Sequence, residues 1–230
     1  MKQKLAVLFF VPFLPALAAG PTGPPTETSK RLAETAMTVQ AIMRVSERSI
    51  PQTLLDRSQC VVIVPSLKKG ALIIGAKWGR GFVTCRKSQA GWGAPAAVRV
   101  EGGSFGLQAG GSSTDVVMLV MNERGAQRLM RSKVTLGGDA SVAAGPVGRS
   151  ATAETDAMMT AEILTWSRSR GLFAGVSLQG ATLRSDLDVN KELYGQPWTA
   201  KEVIFSGLEP HPDAVPLINL LNKFSSRRTN

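Results

Sequence analysis

The chain has 230 residues, 43% hydrophobic and 19% charged, which is apolar enough for a packed core and too apolar for a disordered chain. Lys and Arg number 27 against 17 Asp and Glu, a formal charge of +10. A single His (His211) and two Cys (Cys60, Cys85) exclude a zinc site made of His and Cys alone, which takes about four such ligands. The composition favours a basic binding domain over a metalloenzyme, and no cofactor is implied.

Met1-Lys2-Gln3-Lys4 forms a positive n-region, Leu5 to Leu14 an apolar h-region, and Ala16-Leu17-Ala18 a small-x-small cleavage pattern. Residues 1–19 therefore read as a secretory signal peptide. The apolar run is broken by Pro12 and Pro15 and is shorter than the roughly 20 residues of a membrane-spanning helix. The expectation is an exported protein, periplasmic or secreted, peripheral on a membrane if it meets one. Charge is uneven along the remainder. Residues 28–100 hold 12 Lys and Arg and 3 Asp and Glu, whereas residues 101–230 hold 13 of each. That asymmetry points to an anionic partner for the first part of the domain.

Residues 20–28 (GPTGPPTET) read as an extended linker. Thr28 or Ser29 then caps a predicted helix to about Ser49, with Leu32, Ala36, Val39 and Met43 on one apolar face. Lys30, Arg31, Arg44 and Arg48 lie off that face. Such a basic amphipathic helix either lies on a membrane surface or packs its apolar face on the domain. Gln52 to Arg57 adds a further turn. Cys60 to Val64 reads as a buried strand bounded by Pro65. Ala71 to Lys77 and Gly81 to Lys87 read as a hairpin around Trp78-Gly79-Arg80. Strands follow at 96–101, 105–111 and 116–121, then a short helix from Asn122 or Glu123 to about Ser132. Residues 161–167 and 172–183 are strand-like, and 186–194 and 213–224 helical. Glycines inside the strand patterns, Gly102, Gly103, Gly110 and Gly111 among them, favour bulges and sharp coiling. The predicted fold is α+β: a single domain over residues 29–230, with a strongly coiled, mainly antiparallel sheet, barrel- or sandwich-like. An N-terminal amphipathic helix and short helices flank it.

Gly102-Gly103-Ser104-Phe105-Gly106 matches the G-x-S-x-G elbow of a serine hydrolase, with Asp186, Asp188 and His211 downstream in triad order. The strand pattern after Ser104 contradicts the helix an elbow requires, so a turn between strands is expected and no enzyme. Asp186 and Asp188 suit a helix start, and His211, between prolines, an exposed loop. Export permits a disulfide between Cys60 and Cys85. In a three-strand meander the two would lie too far apart to bond, so the bridge and a pair of buried thiols both stay open. The basic cluster is the stronger candidate. Around the predicted hairpin, Lys77 and Arg80 gather at the turn, and Lys68, Lys69, Arg86 and Lys87 at the other end. Trp78 and Trp92 supply amphipathic rings as membrane-interface sites do. With Lys30, Arg31, Arg44 and Arg48 these form the candidate surface for anionic phospholipid. A cell-envelope protein or acidic polymer is the alternative partner, and export leaves no role for nucleic acid.

Laid out in this order, the chain resembles the SYLF domain family. The matching stretches are VVIVPSLKKGALIIG (61–75), GWGAPAAVRVEGGSFGLQAGGS (91–112) and STDVVMLVMNERG (113–125). LGGDASVAAGPVGR (136–149), SRSRGLFAGVSLQGATL (167–183) and Leu193-Tyr194-Gly195 follow. The resemblance implies binding and not catalysis. Eukaryotic members bind phosphoinositides, and fungal ones bind and bundle actin, with an N-terminal basic amphipathic segment contributing to the membrane contact. The leader makes this chain similar to an exported bacterial member. It departs from many of those in lacking a lipoprotein cysteine, and it carries no SH3 or FYVE module. An exported setting removes cytosolic actin, so affinity for an anionic head group is the implied property.

Overall fold

A computed structural model of the chain describes residues 24–44, 49–71, 74–87, 91–105, 110–146, 160–169, 172–173 and 178–225. The predicted signal peptide, residues 20–23 of the predicted linker and Arg48 lie outside them. Helix α1 (Glu27–Met43) starts at Thr26, whose hydroxyl accepts the Ser29 N–H, and α2 (Gln52–Arg57) follows it. Two 12-residue strands come next, β1 (Cys60–Ala71) and β2 (Ile74–Cys85), then β3 (Ala96–Phe105) and β4 (Gly110–Val120). Asn122 caps α3 (Glu123–Leu129). Five shorter strands complete the sheet: β5 (Lys133–Thr135), β6 (Val142–Ala144), β7 (Ile163–Ser169), β8 (Leu172–Phe173) and β9 (Thr182–Ser185). The chain closes with α4 (Leu187–Tyr194), α5 (Ala200–Phe205), a 3-10 turn (Pro212–Ala214) and α6 (Val215–Phe224).

The strands form one curled sheet in the order β5-β9-β3-β2-β1-β4-β7-β6, with β8 beside β7. Every pairing is antiparallel except β6 with β7. This is the coiled α+β sheet expected from the sequence. Alternation along its strands sends side chains to two cores. Val62, Val83, Val98 and Met118 face the concave side, which α3, α5, β5 and β9 close with Leu129, Val203, Val134 and Leu183. Val61, Ile63, Phe82 and Val117 face the convex side, covered by Leu32, Val39 and Ile42 of α1 and by Leu217, Ile218 and Leu221 of α6. The apolar face of the N-terminal helix is thus spent on the domain. Two polar contacts pin its first turn. Thr28 Oγ1 donates to Glu192 at 2.6 Å, and Ser29 Oγ donates to Asp213 at 2.5 Å.

The predicted turn at Trp78-Gly79-Arg80 does not exist. These residues lie in mid-strand, where Trp78 pairs with Lys68 and Glu101, and Arg80 with Arg99. The antiparallel register of the two strands continues instead as far as Ala71 opposite Gly75. Nor does β1 stop at Pro65. It runs on through a bulge: the register shows one extra residue, between Ile63 and Lys68 against β2 and between Val64 and Leu67 against β4. A bulge is where a proline fits inside a sheet, because the ladder there asks for no N–H. Gly79 and Gly81 answer that bulge. A Cβ on Gly79 would stand 2.8 Å from Leu67 and Val64 side-chain atoms, and one on Gly81 would stand 2.0 Å from the Ile63 carbonyl oxygen. Glycines that read as turn formers are close-approach residues in a tightly coiled strand pair.

One long hairpin also brings Cys60 and Cys85 opposite each other, where a meander would have separated them. Arg86 N–H donates to the Gln59 carbonyl at 2.9 Å, so the cysteine pair occupies a non-hydrogen-bonded position, where facing side chains approach most closely. The two are joined by a disulfide. Ser104 lies within β3, opposite Gly75, in a strand and not on a strand-to-helix elbow.

Candidate functional site

The β1 bulge opens a groove on the convex face beside the start of α1. Its volume is about 480 Å³, with Pro65, Gly79 and Val100 among its lining residues. Arg31 contributes from α1, Lys68 from β1, Arg80 and Trp78 from β2, and Arg99 from β3. Four cations thus meet two carboxylates, Glu34 and Glu101. Glu101 is already engaged, by Arg99 Nε at 3.5 Å and by the Arg184 guanidinium. Arg80 stands over Asp186, its Nε 3.1 Å from a carboxylate whose side chain is only 1% exposed. Among the described residues Arg31 and Lys68 enter no salt bridge, so theirs are the charges the groove offers outward. Trp78 is 48% exposed, with its indole extending toward Gly70, an apolar ring beside a cationic rim.

At the lip, Ser66 adopts φ 53°, a left-handed conformation uncommon outside glycine and asparagine. Asp115 accepts the Ser66 N–H at 3.1 Å and is itself held by Arg168 at 2.8 Å. The bulge is therefore fastened to β4, and the lip is a built feature of the site.

The structure divides the basic residues expected from the sequence into separate groups. Arg31, Lys68 and Arg80 meet in the groove. Lys69 and Lys77 pair across β1 and β2 on the opposite face. Lys77 is 7% exposed; burial holds its ammonium below the usual lysine value, and the Lys69 charge adds to the effect. Lys30 is tied to Glu27 at 2.9 Å, and Arg44 sits exposed at the end of α1. Arg86 is occupied inside the fold: its guanidinium donates to the Ser225 and Leu55 carbonyls at 2.7 and 2.8 Å and stacks 3.9 Å from the Trp92 ring. Trp92 is a core residue whose Nε1–H donates to the Ser225 carbonyl at 3.0 Å, and not an interface ring. Lys87 stands at the far end of β2, near Glu209 at 3.9 Å. Arg99 and the Asp186 counter-charge were not anticipated. Alternating polarity in AAVRVEG does mark Arg99 as pointing away from the concave core. Helix α5 was missed too, although its Thr199–Glu202 capping box is written in the sequence as TAKE. His211 caps the 3-10 turn by accepting the Asp213 N–H at 3.3 Å.

The described residues thus assemble a charged groove on a coiled sheet, flanked by an exposed tryptophan. The Ysc84 family, described as "Las17-binding protein actin regulator", matches residues 101–224, and the chain belongs to this family, that of the SYLF domain. It is 36% identical over 180 residues to an SH3 domain-containing protein of Schizosaccharomyces pombe, covering 77% of this chain and 42% of that one. It is 33% identical over 190 residues to LAS seventeen-binding protein 3 of Saccharomyces cerevisiae, covering 80% and 41%. With the human SH3 domain-containing YSC84-like protein 1 it shares 30% over 185 residues, covering 80% and 54%. The chain thus spans about half the length, or less, of these relatives. The family names are those of binding and regulatory proteins.

Proposed function

We propose that this chain is an exported, non-enzymatic domain that binds anionic phospholipid, with phosphoinositide-like head groups as the ligand chemistry, through the groove beside the β1 bulge. The observation that carries the reading is the meeting of Arg31, Lys68, Arg80 and Arg99 around one concavity next to the half-exposed Trp78. Cations placed near an anionic bilayer contribute about 1 kcal/mol each, and an interfacial indole adds an apolar foothold. Co-sedimentation with vesicles tests it. Residues 20–230 bind anionic vesicles, release them as salt rises, and ignore neutral ones. Arg31→Gln with Lys68→Gln weakens binding about 30-fold, the sum of two such charges. Equal binding to neutral vesicles, or an unaffected double variant, overturns the reading.

The family description favours a second reading, binding of a protein partner, as the name of LAS seventeen-binding protein 3 says of that protein; here the same basic surface would dock it. In an exported chain that partner is an acidic envelope protein and not cytosolic actin. Binding to such a protein with no vesicle binding at low salt selects it.

A further inference from the structure

The Cys60–Cys85 end of the β1–β2 pair carries a second concavity, unlike the mid-strand groove in chemistry. It is an open groove of about 1040 Å³, bounded by the Cys60–Cys85 disulfide on one side and by α3 and α5 on the other. Its apolar lining includes Ala94, Ala126, Met130, Ile204 and Leu208. Phe205 stands at its edge, 71% exposed. A lone exposed apolar ring is ordinary on a protein surface. Here it lines the same groove as Ile204 and Leu208, so the ring extends an apolar patch within a lining that also carries charge.

Charge decides what that patch fits. Lys87, Arg131 and Lys201 line the groove with one carboxylate, Glu123, which already accepts the Gln127 amide at 3.1 Å. Among the described residues Arg131 and Lys201 are in no salt bridge, and Lys87 reaches only Glu209, at 3.9 Å. A wholly apolar ligand would leave these charges unanswered. A compact anion such as phosphate would leave the apolar surface wet. A long-chain carboxylate satisfies both, with its chain along the apolar lining and its head among the cations. The volume is at the upper end of small-molecule sites, which run to about 1,000 Å³.

We propose that this groove binds a long-chain carboxylate, one molecule per chain. The site shares no residue with the bulge groove, so it stands or falls separately from the phospholipid reading.

The test is calorimetric titration of the oxidised protein with decanoate, dodecanoate and tetradecanoate below their aggregation limits, and with dodecanol as the neutral control. Each added pair of methylenes tightens binding about tenfold, as burial of two CH₂ groups requires. Dodecanol binds at least about tenfold more weakly than dodecanoate, reflecting the charge-assisted contact it cannot make. Phe205→Glu, at an exposed position that leaves the thermal midpoint unchanged, weakens dodecanoate at least about tenfold by placing a charge against the chain. Lys201→Glu does so at the head. Arg31→Gln with Lys68→Gln leaves the titration unaltered. Affinity independent of chain length, unchanged affinity in both groove variants, loss of binding in the Arg31 and Lys68 variant, or capture of an acidic amphipathic peptide with no carboxylate binding would each overturn the proposal.

Discussion

The middle of the β1–β2 pair and its Cys60–Cys85 end solve opposite problems with the same two strands. In the middle the chain has a residue too many: Pro65 and Ser66 bulge, Gly79 and Gly81 give way, and the ladder opens into a polar groove. At the cysteine end the ladder is closed by a covalent bond, with Cys60 facing Cys85, and the concavity beside it is lined in part by apolar helix residues. A polar groove is thus built where backbone regularity is broken, and a more apolar one where it is clamped. A bulge re-aims side chains and exposes backbone; a clamped strand end gives helices a fixed surface to stand against.

The sharpest way to break this contrast is Gly81→Ala. Its Cβ would lie 2.0 Å from a backbone oxygen on β1, which no rotamer change relieves, so unfolding free energy falls by about 3 kcal/mol or more in urea titration. A variant as stable as the parent would mean that the bulge adapts freely. Opening the clamped end comes next. Cys60→Ala with Cys85→Ala removes a bridge across 25 residues of sequence and costs about 2–3 kcal/mol, measured the same way without reductant.

Within the bulge groove, Arg80 and Lys68 separate a cation held by a buried carboxylate from an exposed one without a salt bridge among the described residues. Arg80→Gln leaves the buried Asp186 carboxylate without its cation and costs about 1–3 kcal/mol of stability, whereas Lys68→Gln changes stability by less than about 0.5 kcal/mol. Equal thermal midpoints for the two variants would count against this division. The smallest effect concerns Lys77. Its amine titrates below the ordinary lysine value of 10.5 in the fold. Between the lowered folded value and the unfolded one, the unfolded chain therefore holds more protons, and stability rises with pH through that window. Lys77→Met flattens the difference in urea midpoint between pH 8 and pH 10.5. A parent chain with no more upward slope than the variant would contradict it.

Much of the fold was legible along the chain because its signals are local. The α1 face through Leu32 and Val39, the β-branched run of β1, the Asn122 cap and the α4 and α6 patterns each follow from a few neighbouring residues. The misplaced turn and the misplaced end of β1 share one cause. Pro65, and Gly79 with Gly81 around Arg80, are turn residues by local chemistry, and here they serve a bulge and the strand beside it. Whether a glycine turns the chain or admits a neighbour depends on what lies across the sheet, which no window of sequence contains.

The sequence by itself determined that the chain forms a coiled α+β domain with a basic first half and no hydrolase elbow. Charge balance and hydrophobic period are properties of residues and their near neighbours. Only the tertiary structure decided which charges act together. Alternation placed Lys68 and Lys77 on opposite faces, Asp186 took Arg80 as its counter-ion, and Arg86 was drawn into the fold by Ser225, 139 positions away. A cation's role is set by the desolvation and partners that packing imposes on it, and those are decided across the sheet and not along the chain.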